Sequence, residues 1–386
     1  MSFDENDEND KLKLGIVGGG PDSLMGPIHA IAATLDQKFE IVAGSFSKDY
    51  EKTKRQANQL GIDLNRAYRD FKEMAEREVQ RDDCIDLVVI LIPNDQHVLA
   101  SKAFLEEGIH VLCEKPLATN SKEALSLVQF ADDKELLLLT SYNYSGFPMI
   151  KQARAMVQKG DLGNIHLINI EMPQSYRTSS FQPEDPNSWR KDPKQIGPSL
   201  MLMDLATHLH HMMLYISNLE VKEVFGESSN LIKEKEGDDN LTVLLRFSNG
   251  ARGVLWTSSS ATGNEHGMRI RISGDKGSLD WLEKKPNDLI FKPNEQPHIT
   301  FQKGGPGLYD EAKRGTRMSW GHPEGYMEAF GNLYNDIFET IKAEDSKETI
   351  DGLPSGKDGA KSIIFAEAVL KSNETGQWIP IEEEKV

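Results

Sequence analysis

The chain has 386 residues, 38% hydrophobic and 27% charged, which is the composition of a folded protein with room for two or three domains. Lys and Arg number 44 against 61 Asp and Glu, a formal net charge of −17 that opposes binding to nucleic acid or anionic lipid. The two cysteines, Cys84 and Cys113, cannot build a disulfide framework, and no run reaches the roughly 18 apolar residues of a membrane span.

Residues 1–11 are a polar, acidic head, expected to be disordered. It lacks the basic start and apolar run of a secretory signal, so a cytoplasmic protein is expected. From residue 12 to about 145, strands are predicted at Leu12–Val17, Phe39–Phe46, Asp86–Ile92, His110–Cys113 and Leu136–Thr140. Helix patterns lie between them at Asp49–Leu60, His97–Glu107 and Ser121–Asp132, the first two stopped by Gly61 and Gly108. Leu87–Ile92 is wholly apolar, as in a central strand covered on both faces. This alternation predicts a Rossmann-type, doubly wound parallel sheet wrapped by helices.

Beyond residue 146 the pattern changes. After a helix at Pro148–Lys159, period-two runs predict strands at Ile165–Met172, Val221–Gly226, Leu241–Phe247, Ala251–Thr257, Met268–Gly274 and Ser278–Leu282. Asn249-Gly250 marks a hairpin. Helices are predicted at Met203–Ile216, Glu324–Lys342 and Gly359–Ser372, and the polar stretch Pro173–Ser199 as a long loop beside the site. Residues 146–386 therefore read as an α+β unit with a largely antiparallel open sheet.

Gly15-Ile16-Val17-Gly18-Gly19-Gly20 closes the first strand and precedes a helix. Gly18 and Gly20 supply the first two glycines of a dinucleotide fingerprint, one for the tight turn and one for close approach to a pyrophosphate. Ser23 stands where the third is usual, and Gly26 serves if the turn is about three residues longer. At the tip of the second strand, Ser47 occupies the place of the acid that grips a ribose in NAD sites, with Lys48 beside it and Lys52 and Arg55 following. This charge pattern leans toward NADP. The alternative is NAD held by Asp49 or a serine hydroxyl, with the lysines on a solvated helix face.

Three further segments carry a resemblance. Ile92-Pro93-Asn94-Asp95-Gln96-His97 follows the central strand, Cys113-Glu114-Lys115-Pro116-Leu117 follows the next, and Asp204-Leu205-Ala206-Thr207-His208 opens a helix. Their order resembles the glucose–fructose oxidoreductase / inositol dehydrogenase / rhizopine catabolism family, Gfo/Idh/MocA, over nearly the whole chain. The resemblance implies NAD- or NADP-dependent interconversion of a hydroxyl and a carbonyl on a sugar, cyclitol or related polyol, by a homodimer or homotetramer. It implies that Lys115 is the catalytic lysine and that Asp204 and His208 complete the constellation. Pro93, Asn94 and His97 would lie near the nicotinamide ribose, Glu114 and Pro116 would shape the turn, and Asn143 would line the junction. Trp189-Arg190 resembles a pair found over the cofactor. Tyr176 and His322 are expected to reach substrate. Many members carry a glycine pair before the aspartate; here Gly197-Pro198-Ser199-Leu200-Met201-Leu202-Met203 is bulkier, which bears on pocket shape.

The chemistry of the residues agrees with this resemblance. Histidine titrates near neutral pH and suits His208 to move the hydroxyl proton. A lysine at the carboxyl end of a Rossmann strand can stabilise a developing alkoxide. A metal site at His208 and His211 would need further ligands that no second cluster supplies, so no metal is expected. The remaining alternative is a non-catalytic, nucleotide-binding sensor on the same fold.

Overall fold

The computed structural model describes residues 11–178, 189, 192–343 and 350–381. The predicted Arg190 contact, the acidic head and much of the Pro173–Ser199 loop lie outside the described residues.

The first sheet is built from β1 (Leu12–Gly18), β2 (Phe39–Ser45), β3 (Leu87–Leu91), β4 (His110–Cys113) and β5 (Leu138–Thr140). Among the described residues these strands are all parallel, in the order β2-β1-β3-β4-β5. The helices between them are α1 (Met25–Thr34), α2 (Tyr50–Leu60), α3 (Phe71–Glu78), α4 (His97–Glu106) and α5 (Ser121–Asp133). The local signals act as expected. The Asp49 carboxylate accepts the backbone N–H of Glu51 and Lys52 to open α2, and Gly61 ends it at φ +74°. Asn120 caps α5 through the N–H of Glu123. The residues of β3 from Leu87 to Ile90 are fully buried. The order reverses direction at the β1/β3 boundary, where an open α/β sheet leaves a crevice at its carboxyl edge.

The second sheet follows α6 (Pro148–Gln158). It contains β6 (Ile165–Pro173), β7 (Val221–Ser229), β8 (Asn240–Phe247), β9 (Arg252–Ser258), β10 (Arg269–Gly274), β11 (Gly277–Leu282), β12 (Asp288–Pro293), β13 (Ile299–Gln302) and, last in the chain, β14 (Ile379–Pro380). Their order is β13-β12-β11-β10-β6-β9-β8-β7-β14, and only the β6–β9 pairing is parallel among the described strands. In β8, Leu241, Val243, Leu245 and Phe247 point into the core while Leu244 is exposed, the period-two signature of a half-buried strand. The helices of this half are α7 (Pro193–Ile196), α8 (Thr207–Ser217), α9 (Asp310–Arg314), α10 (Tyr326–Lys342) and α11 (Gly356–Thr375). Two of them return to the first sheet: α10 packs on α1, and α11 on α5 and β5. Among the described residues no helix is long and apolar enough to cross a membrane.

Candidate active site

The glycine turn is compressed from three sides. Gly18 has φ +82°, and a Cβ there would lie 2.2 Å from the carbonyl oxygen of Leu91 on β3. A Cβ on Gly20 would lie 2.7 Å from the Phe46 carbonyl at the tip of β2. A Cβ on Gly26 would lie 2.0 Å from the Gly19 carbonyl, so Gly26 is the glycine that lets α1 close on the turn. The Ser23 hydroxyl accepts the Gly26 N–H at 3.2 Å. Leu24 offers α1 no capping side chain, and the first turn holds no acid, so the helix start is left to an anion.

Lys115 stands in the turn after β4, across the crevice from Gly18. Its ammonium donates to the Asp204 backbone carbonyl at 2.6 Å and to the Asp204 carboxylate at 2.9 Å. The lysine side chain is 12% exposed and that of Asp204 29%, so the pair faces a cleft and not open solvent. Asp204 lies in a π-helical turn, Met201–Ala206, that runs into α8. The start of this turn is held by Asp238, whose carboxylate accepts the Leu200 N–H at 2.8 Å and the Ser199 hydroxyl at 2.5 Å.

His208 lies in the first turn of α8, with its Nδ1 buried and without a hydrogen-bond partner among the described residues. Burial, then the Lys115 ammonium, push its pKa well below the ordinary value, so the ring is neutral at pH 7 and free to accept a proton. Tyr144 approaches its ring edge-on at 5.0 Å and holds His266 through a 3.1 Å hydrogen bond. Tyr326 packs beside Tyr144 at 6.2 Å between ring centroids. The buried Nδ2 of Asn143 also has no acceptor. These unsatisfied groups, together with the glycine turn and the start of α1 above it, fit a bound dinucleotide and a hydroxylated substrate.

Residues 12–142 match the model of an oxidoreductase family with an NAD-binding Rossmann fold, and residues 150–280 match the Gfo/Idh/MocA C-terminal domain. The chain belongs to the Gfo/Idh/MocA family. It is 34% identical to the uncharacterized oxidoreductase YfiI of Bacillus subtilis (strain 168), over 95% of this chain and 96% of that one. It is 26% identical to levoglucosan dehydrogenase of Pseudarthrobacter phenanthrenivorans, over 96% and 98%. A solved inositol dehydrogenase homolog from Azotobacter vinelandii, in complex with NADH and myo-inositol, superposes with a TM-score of 0.88 at 31% identity, over 96% of this chain and 98% of that one. This chain is therefore an oxidoreductase of that family.

Within this Gfo/Idh/MocA member, Lys115, Asp204 and His208 are brought together, and Asn143 lies buried in the turn after β5. Pro93 and Asn94 lie at the crevice, where the Asn94 amide donates to the Ile196 carbonyl at 2.9 Å and ties down α7. Ser47 sits beside Gly20, its hydroxyl accepting the Asp49 N–H at 3.1 Å, and Lys48 is exposed. Two expected contacts meet a different geometry. His97 is fully buried, with Nδ1 2.7 Å from the Pro116 carbonyl and Nε2 2.8 Å from the Ile92 carbonyl, so its ring has no polar atom left for a ribose. It fastens the Lys115 turn to the end of β3. His322 is exposed, paired with Ser319 at 3.2 Å and not with a group of the site. Trp189 packs against the hydrophobic core. Tyr176 is half-buried in the turn after β6. Sequence reasoning missed His29, Tyr144, His266 and Tyr326. Among the described residues no three His, Cys, Asp or Glu side chains are grouped to hold a metal.

Proposed function

We propose that this enzyme interconverts a secondary hydroxyl and a ketone on a ring polyol, a cyclitol or sugar derivative, with Lys115, Asp204 and His208 as its polar machinery. The observation that carries this is the Lys115 ammonium reaching Asp204 at 2.9 Å beside a neutral His208 whose Nδ1 has no hydrogen-bond partner among the described residues. A bound nicotinamide accepts the hydride in the oxidative direction. His208 takes the hydroxyl proton through its neutral imidazole, and returns it in reduction. Lys115 donates a hydrogen bond to the substrate oxygen and stabilises the alkoxide as charge develops. Asp204 holds the ammonium in place and offers a carboxylate to a neighbouring hydroxyl.

For the adenosine end we propose NAD, against the charge pattern that favours NADP. Lys52, the cation nearest the glycine turn by contact, is already paired at 2.7 Å with Asp22 of that turn. That leaves less positive charge for a 2′-phosphate and adds a carboxylate that repels one. The relative that superposes on this chain holds NADH. The test is fluorescence titration with NADH and NADPH, then a panel of cyclitols and anhydrosugars followed by reduced-nicotinamide absorbance. Turnover of a ring polyol, abolished in Lys115→Met, is the expected result. Tight NADH binding with no turnover of any polyol would overturn the catalytic reading and favour a sensor.

A further inference from the structure

His29 lies in the second turn of α1, fully buried, and both of its ring nitrogens are engaged. Nε2 is 2.9 Å from Glu114 Oε1, and Nδ1 is 2.8 Å from the Tyr334 hydroxyl on α10. The other oxygen of Glu114 accepts the backbone N–H of Lys115 at 3.2 Å. A carboxylate only accepts, so Nε2 carries the proton, and Nδ1 is left to accept the Tyr334 O–H. The donors then run one way: Tyr334 to His29, His29 to Glu114, with Lys115 N–H closing on the far oxygen. Every group in this buried line is satisfied with a neutral imidazole, and the line ends in the core at Tyr334, so it leads no proton to solvent.

An apolar side chain would pack between Phe330 and Tyr334 as well as His29 does, the nearer ring lying 4.9 Å away. What an apolar residue cannot do is grip Glu114. The same short helix presses Gly26, its second residue, against the turn that fits a pyrophosphate. Glu114 and Lys115 are adjacent in sequence. One rigid ring therefore joins the dinucleotide seat to the lysine that reaches Asp204.

We propose that His29 is a positioning residue, fixing Lys115 relative to the dinucleotide seat through the Glu114 carboxylate; this rests on the reading of Lys115 as catalytic. His29→Leu lowers kcat roughly 10- to 100-fold, the scale of one lost charge-assisted hydrogen bond. In a Glu114→Ala background the same substitution changes kcat by less than about 3-fold, because His29 then has nothing to hold. His29→Gln, whose amide N–H can still reach Glu114, retains more activity than His29→Leu and serves where the leucine variant fails to fold. Losses that multiply in the double variant, or glutamine no better than leucine, would overturn the proposal in favour of a plain packing role. A second readout needs no turnover. In the ligand-free protein, imidazole 15N NMR, with the His29 signals assigned by their loss in His29→Gln, shows the Nε2–H tautomer, and Glu114→Ala moves it toward Nδ1–H. An Nδ1–H tautomer in the unaltered protein would overturn the directed line. If no polyol turns over at all, the substrate reading fails, while the NMR result still decides the His29–Glu114 link.

Discussion

Lys115→Met is the most direct perturbation of the proposed chemistry. The substitution keeps the length of the side chain and removes one ammonium that makes contacts of 2.6 and 2.9 Å at the mouth of the cleft. Losing a charged donor aimed at a developing alkoxide costs about 10²–10³ in kcat, roughly 3–4 kcal/mol of transition-state stabilisation. The pair is only partly buried, so the folded state loses less, about 1–2 kcal/mol. A second effect has a definite sign. His208 is held below its ordinary pKa by burial first and by the Lys115 cation second. Removing the cation raises the His208 pKa while burial continues to lower it. A base that works neutral loses rate as pH falls through its pKa, so the acid limb of the residual kcat moves to higher pH. Initial rates read by reduced-nicotinamide absorbance, between about pH 5 and 9, measure both effects. A kcat within about 10-fold of the unaltered enzyme, or an acid limb displaced to lower pH, would refute the assignment.

Gly26→Ala forces a Cβ to within 2.0 Å of the Gly19 carbonyl, and should weaken NADH binding at least ~10-fold because helix and turn must separate; fluorescence titration checks it. Acid lability should come from α8. Burial lowers His210 to about 3 and His211 to about 4, so between those values and pH 6.5 the unfolded chain binds more protons, and stability present above pH 6.5 is lost as pH falls. Each contributes a loss of about 1–2 kcal/mol between pH 7 and pH 5, read from urea midpoints; His210→Gln should flatten that dependence by one histidine's share. Asp22→Asn frees Lys52 and should raise the NADPH-to-NADH affinity ratio several-fold, on the order of one exposed charge, with an unchanged ratio counting against the proposed role of that pair.

The legible parts of this molecule are those where a local signal and a tertiary one agree. The apolar run of β3, the helix stops at Gly61 and Gly108, and the Asn249-Gly250 hairpin act locally, and they place the sheets before any packing is known. The grouping of Lys115 with Asp204 and His208 was legible because the tripeptide at the end of β4 and the Asp-x-x-x-His run leading into α8 are both short and contiguous. The missed residues share the opposite property. His29, Tyr144, His266 and Tyr326 come from α1, the segment after β5, the approach to β10 and the start of α10, and no periodicity links them. The edge strand β13 and its neighbour β12 were missed because they bury too little to alternate; Leu289 is the residue of β12 that lies fully in the core. The contacts of His97 were illegible for a related reason. Its position next to the crevice was legible, but the direction of its ring was not, since both groups facing its ring nitrogens are backbone carbonyls that leave no trace in side-chain identity.

The bulk of Met201, Leu202 and Met203, where many family members place glycines, has a specific resolution. All three side chains are fully buried. They fill the core beneath the π turn, and Met203 lies against Gly197, where a Cβ would meet its Cγ at 3.3 Å. Asp204, at 29% exposure, is the member of that run whose polar atoms reach Lys115. The wider turn of a π helix lets consecutive bulky side chains sink on one side while the next carbonyl and carboxylate both face the lysine. The departure from glycine therefore alters what supports the aspartate, and the wall of the pocket is left to the rings around His208.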